Sequence, residues 1–209
     1  MGLFDNVGSL VNLFVDDKQA PESQNLAKRA DVNPLDFGKV ASLGLPAILK
    51  AIQQNTQDEA GLESFDKALE KHQDVQNYQS VEQLSENVDP QDGDKILGHV
   101  FNDKESIIDR IADSVGMTPA AVKRVLVLLA PVVLKYLADQ KKSKNLDKKD
   151  LQKETANIAD SVTKTITDSN KGGLLGSLLS NLTSDDATKT SKDKERKSGI
   201  LGDVFKKMF

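Results

Sequence analysis

The sequence predicts an all-α protein, and three observations predict it. Apolar residues recur at helical spacing in one segment after another, while the period-two alternation of half-buried strands is absent. Asn33-Pro34 and Thr118-Pro119 each set a capping side chain before a proline, the pattern that opens helices. The longest apolar run, Val125 to Leu137, is hydrophobic on every side with Lys135 as its single charge. A helix of that kind is buried or crosses a membrane. A span needs about 20 apolar residues. This run is shorter, contains Pro131 and follows Lys123 and Arg124, so it reads as the central helix of a bundle.

The elements follow in order. Residues 1–15 form a short amphipathic helix with Leu3, Phe4, Val7, Leu10, Val11 and Phe14 on a wide apolar face. Gly8 weakens it, so it needs a partner surface. Residues 16–33 are polar, carry Pro21 and read as a linker. Residues 34–140 read as the compact domain. Its first helix starts at Pro34 and is interrupted at Gly44-Leu45-Pro46, after which a second piece begins. Gly61 to His72 adds an amphipathic stretch on Leu62, Phe65 and Leu69, and Ser80 with Gln83 suggests a capping box. The acids Asp89, Asp92 and Asp94 precede a short apolar helix, whose positive end they suit. Asp103 caps Lys104 to Val115, Gly116 ends it, and Thr118 opens the central helix. Pro131 should bend that helix near Leu128. Asp139 has the wrong sign for the helix end, and Lys141 and Lys142 the right one.

Residues 141–170 are charged but keep Leu151, Ile158, Val162 and Ile166 on one stripe, which reads as a surface or partner-docking helix. Residues 171–209 read as a flexible tail with short amphipathic segments. The segments beginning at Gly2, Gly173 and Gly199 look alike, each opening with glycine and two bulky apolar residues. They could dock on the core, on sister copies or on a membrane surface.

Composition narrows the chemistry. No cysteine means no disulfide, thiolate metal site or cysteine nucleophile. A net charge of −4 gives no global reason to expect nucleic acid. The two histidines, His72 and His99, lack metal-ligand spacing, and His99 reads as a core or capping residue. Asp89, Asp92 and Asp94 have the wrong spacing for a calcium loop. No P-loop, dinucleotide or nucleophile-elbow motif is present. No catalytic, cofactor or metal residue is therefore assigned. Ile111 to Leu126 matches a helix-turn-helix pattern, in which Lys123 and Arg124 could reach DNA. Beyond Arg124 the helix is too apolar to face anything but a core, so a plain core turn is the preferred reading.

The stretches LGLPAILKAIQQN from Leu43, GLESFDKALEKH from Gly61, GDKILGHVF from Gly93 and VLVLLAPVVLKYL from Val125 resemble the YidB-like bacterial family, a domain of unknown function (DUF937). The similarity covers about residues 37–140, and Gly93, Ile96, Leu97, Gly98, His99 and Phe101 are its most specific part. It implies an all-α fold with a homeodomain-like motif, and brings no activity or cofactor. The charged 141–170 segment and Lys-rich tail depart from the family pattern. The expected function is a non-enzymatic, self-associating interaction or scaffold protein of the bacterial cytoplasm. Its contact groups would be the N-terminal face named above and Leu201, Val204, Phe205 and Met208. The alternatives are a DNA-binding protein using residues 104–126 and a peripheral membrane protein.

Overall fold

Two long, proline-bearing helices form the centre, and glycines let their neighbours touch them. The computed structural model describes residues 6–15, 21–74 and 80–169. Among these run nine helices and no strand. They are α1 (Val7–Val15), α2 (Pro21–Arg29), α3 (Pro34–Asn55), α4 (Glu59–Asp74), α5 (Val81–Asn87), α6 (Pro90–Val100), α7 (Lys104–Val115), α8 (Pro119–Lys144) and α9 (Lys148–Ser169).

The central helix α8 starts where the sequence predicts. The Thr118 hydroxyl accepts a hydrogen bond from the Ala121 amide at 3.3 Å, and Pro119 takes the first position. From Val125 to Gln140 every residue is buried except Lys135, which is largely covered and pairs with Asp139 at 2.9 Å. The helix runs on to Lys144 and closes on left-handed Asn145. Asp139 therefore lies inside the helix rather than at its negative end, where its charge would be unfavourable.

Pro131 supplies no N–H to the carbonyl four residues earlier, that of Val127. Helix α6 packs on α8 at that carbonyl. A methyl group added at Gly93 would lie 1.7 Å from the Val127 oxygen, so only a residue without Cβ lets the two backbones approach this closely. α6 makes its most extensive contact with α8. It is capped by Asp89, which accepts from the Gln91 amide at 2.9 Å, and it buries Ile96, Leu97 and Val100.

Helix α3 is continuous, contrary to the interruption expected at residues 44–46. A proline inside a helix costs about 3 kcal/mol. Leu43, Leu45, Ile48 and Leu49 are all fully buried, at roughly 1.5–3 kcal/mol each, and outweigh it. Gly44 serves packing instead of a break: a Cβ there would meet the Leu126 side chain at 2.5 Å.

The linker expected over 16–33 is likewise corrected. Residues 21–29 form α2, with Glu22 in the first turn and Lys28 and Arg29 in the last, the charge order that suits the helix dipole. Leu26 and Ala27 enter the core.

The stripe expected to dock on a partner, Leu151, Ile158, Val162 and Ile166, is buried in this chain's own core as α9 lies on α3 and α1. Helix α4 is held to α8 by Lys141, whose ammonium pairs with Asp66 and reaches Glu70 at 3.4 Å. Burial works against the charged ammonium, but the two carboxylates outweigh it and hold the Lys141 pKa above its ordinary value. Helices α7 and α8 meet at 112° across Gly116, which is left-handed at φ 69°. Among the described residues no single helix is long and apolar enough to cross a membrane.

The α6–α8 contact gives a paired test. Gly93→Ala should destabilise the chain by about 3 kcal/mol or more, because the methyl meets backbone that cannot yield. A Cβ at Gly98, in the same helix, meets nothing within 4 Å. Gly98→Ala should be neutral or stabilise by up to ~1 kcal/mol. Urea unfolding of both variants measures the difference.

Candidate functional site

The corner between α2 and α3 gathers three features that the rest of the described surface lacks together. Helix α2 ends through bonds from the Ala30 amide to the Leu26 carbonyl (2.9 Å) and from the Val32 amide to the Ala27 carbonyl (3.1 Å). Between them Asp31 takes the left-handed conformation at φ 54°, unusual for a residue with a side chain. Asn33 then caps α3, accepting from the Asp36 amide at 2.8 Å. Beside this turn lies an open groove of about 570 Å³, lined mostly by the polar Gln24, Asn25, Lys28, Asp31 and Asn33, with Val32 and Pro34. Next to Pro34, Leu35 is 62% exposed, the one large apolar side chain so exposed among the described residues.

Two arginines hold the corner still. Arg124 of α8 donates to the Ala30 carbonyl at 2.7 Å and the Asp31 carbonyl at 3.3 Å, and its guanidinium lies 3.7 Å from the Asp31 carboxylate. Arg29 at the end of α2 donates to the carbonyl oxygens of Ser85 and Val88, the last turn and cap of α5. One turn into α3, Lys39 pairs with Asp36 at 3.0 Å. That hydrogen bond, with a smaller one from Asn33, holds the Asp36 carboxyl below its ordinary pKa.

The residues expected to reach DNA are occupied within the chain. Arg124 holds the corner. Lys123 and Lys104 both pair with Asp94, at 3.0 and 2.9 Å. The two lysines, Lys104 first, hold the Asp94 carboxyl below its ordinary 3.8. Residues 82–113, which lead up to this turn, carry nine acids against three bases, a poor surface for phosphate.

Of the expected contact face, Leu10, Val11 and Phe14 are buried in the chain's own core, where the Phe14 ring lies 6.2 Å from that of Phe37. Val7 is partly buried against the same core. This corrects the picture of α1 as a free adhesive helix: α3 and α9 already supply the apolar partner it needs. Leu3, Phe4, Leu201, Val204, Phe205 and Met208 lie outside the described residues.

His99 is exposed in the last turn of α6 instead of entering the core. Among the described residues no three His, Asp or Glu side chains gather as a metal would require. Tyr136 is buried, and burial with the nearby Glu154 carboxylate pushes its hydroxyl up to about 12, far from a useful proton donor or acceptor at neutral pH. A smaller cleft of about 90 Å³ lies between α3 and α7. There Asn55 donates to the Val100 carbonyl at 2.9 Å and Asp103 accepts from the Ser106 amide at 3.0 Å, so both are engaged in holding the backbone.

A family model described as a bacterial protein of unknown function (DUF937) matches residues 15–140. The chain belongs to this family. No curated protein and no solved structure matches it. The DUF937 region begins at the end of α1, takes in all of α2 to α7 and stops inside α8, so the corner and both arginine ties lie within it. Helix α9 lies beyond that region.

Sequence reasoning missed Arg29 and Leu35. Leu35 did leave a signal, since it stands two residues before buried Phe37, roughly 200° round the helix wheel, and so had to point outward. Nothing local marks Arg29, whose partners lie 56 and 59 residues away.

Removing either arginine leaves backbone carbonyls of the DUF937 region without their charged donor. Arg124→Ala and Arg29→Ala should each destabilise by roughly 1.5–3 kcal/mol in urea unfolding. Asp94 has its pKa lowered in the folded state, so its contribution is present above 3.8 and is lost as pH falls through the folded value. Asp94→Asn should flatten the loss of thermal stability below about pH 4, with Lys104 and Lys123 left unpaired at every pH.

Proposed function

We propose that this DUF937 protein is a non-enzymatic interaction protein that self-associates in the bacterial cytoplasm. The observation that carries this reading is Leu35, 62% exposed in the first turn of α3, just after the arginine-braced corner. A single exposed leucine is ordinary on a surface. One held in the first turn of a helix, next to an arginine-braced corner, is a preorganised contact, because little conformational freedom is lost when a partner arrives. The sequence adds Leu201, Val204, Phe205 and Met208 as candidate second contact groups, and two linked contacts bind more tightly than either alone.

The DNA-binding alternative draws support from the 112° meeting of α7 and α8, within the range of helix-turn-helix units. It is weakened by Lys123 and Arg124 being held by Asp94 and Asp31. Fold-level likeness alone does not carry function.

Light scattering on the full chain tests the reading. The account expects a mass above the 22.8 kDa of one chain. Leu201→Ser combined with Phe205→Ser, or Leu35→Asp, should shift the assembly toward the single chain with helix content unchanged. A full chain that stays at the mass of one copy across the accessible concentration range removes self-association.

A further inference from the structure

We propose that α4 is a lid latched by charge over the second half of α8, closed at low ionic strength and released as salt rises. The lid does not depend on self-association.

The latch sits where an apolar side chain would ordinarily be. Helical spacing puts Leu62, Phe65, Asp66 and Leu69 on one face of α4, and that face lies on α8. Leu62 and Leu69 are buried and Phe65 partly so. Asp66 stands among them at 7% exposure, and its partner Lys141 comes from the last turn of α8. A buried ion pair recovers the loss of water only when further hydrogen bonds serve its remaining lone pairs. Among the described residues no donor besides Lys141 reaches the buried Asp66 Oδ1. The pair therefore holds α4 more weakly than two apolar side chains would.

Little else holds the helix down. Among the described residues its contacts with α9 and α3 are slight beside that with α8. Lys67 and Glu63 pair at 2.8 Å on the outer surface of α4 itself and tie it to no other element. The second carboxylate on Lys141, that of Glu70, is 61% exposed, where salt screens the attraction. Opening also returns Asp66 and Lys141 to water, where dissolved ions screen each of them. Added salt thus favours the open state. The start of α4, by contrast, is pinned. Asp58 accepts from the Gly61 amide at 2.7 Å, and Gly61 packs so closely that a Cβ would lie 1.8 Å from the Asn55 carbonyl oxygen. The helix therefore swings from its α3 end. Leu134 and Leu137 share the Lys141 face of α8 at helical spacing, so opening uncovers two leucines that are otherwise buried.

Hydrogen exchange of the full-length chain at fixed pH, from about 0.05 to about 0.5 M sodium chloride, tests the latch. The amides of α4 should exchange faster than those of α3 and α8 throughout. Their exchange should rise severalfold across the salt range while α3 and α8 stay unchanged. Asp66→Leu combined with Lys141→Met replaces the pair by apolar side chains of similar size. It should slow α4 exchange and abolish the salt response. Lys141→Met alone leaves Asp66 buried without its charge partner and should raise α4 exchange roughly tenfold or more, with α8 still protected. Glu63→Gln removes the exposed pair on α4 and should keep the salt response. Amides of α4 that open only together with α8 at every salt concentration overturn the lid. A salt response that survives in the apolar pair overturns it as well. The first outcome needs only the unmodified chain, so the test stands even where a variant fails to fold.

Discussion

The fold depends on one close approach between backbones. Pro131 deprives the Val127 carbonyl of its helical donor, and Gly93 of α6 packs against that same oxygen. A weak Cα–H···O contact of this kind adds little by itself, on the order of 0.5–1 kcal/mol. Its larger effect is geometric. It sets the distance between α6 and α8, and so decides whether Ile96, Leu97 and Val100 can reach the core. Gly44 does a similar job for α3 against Leu126. Both central helices thus carry a proline, and a glycine lies at the α6–α8 contact and another at the α3–α8 contact. The prolines cost helix stability that burial recovers.

Long-range arginine bonds add the outer shell to this centre. Arg29 joins α2 to the end of α5, and Arg124 joins α8 to the end of α2. Arginine suits both places because a planar guanidinium can donate to two carbonyls at once. The consequence reaches function. A side chain that the sequence offers to DNA is turned back to support the turn that presents Leu35. Its neighbour Lys123 is turned to Asp94, which ties α6, α7 and α8 together. The charge that remains near this turn is largely acidic.

Local rules made part of this legible in the sequence. Asn33, Ser80, Asp103 and Thr118 all cap the helices they were expected to cap, since capping depends on residues only three positions apart. Helical spacing likewise groups Ile107, Ile108 and Ile111 on one face of α7, of which Ile108 and Ile111 are buried and Ile107 only partly so, and the terminator Gly116 follows from the same short range. What failed to show was tertiary. Pro46 looks like a break until the burial on either side of it is known. Helix α2 looks like a linker because its order depends on Arg29 finding α5 and on only two buried apolar residues. The stripes on α1 and α9 were visible, but a stripe does not say what covers it, and here each helps to cover the other. The candidate site was the least legible part, because an exposed Leu35 gains meaning only from the groove and the braced turn beside it.

Hydrogen exchange on the native full-length chain tests the central claim most directly, because it ranks local opening free energies helix by helix. If the Gly93–Val127 contact organises the fold, the amides of α6 and of the Val127 turn of α8 open only with global unfolding. They should then share one protection factor, above those of α2 and α5. If α6 opens at a lower free energy than α2 while α8 stays closed, that contact is peripheral and the account of the fold is contradicted.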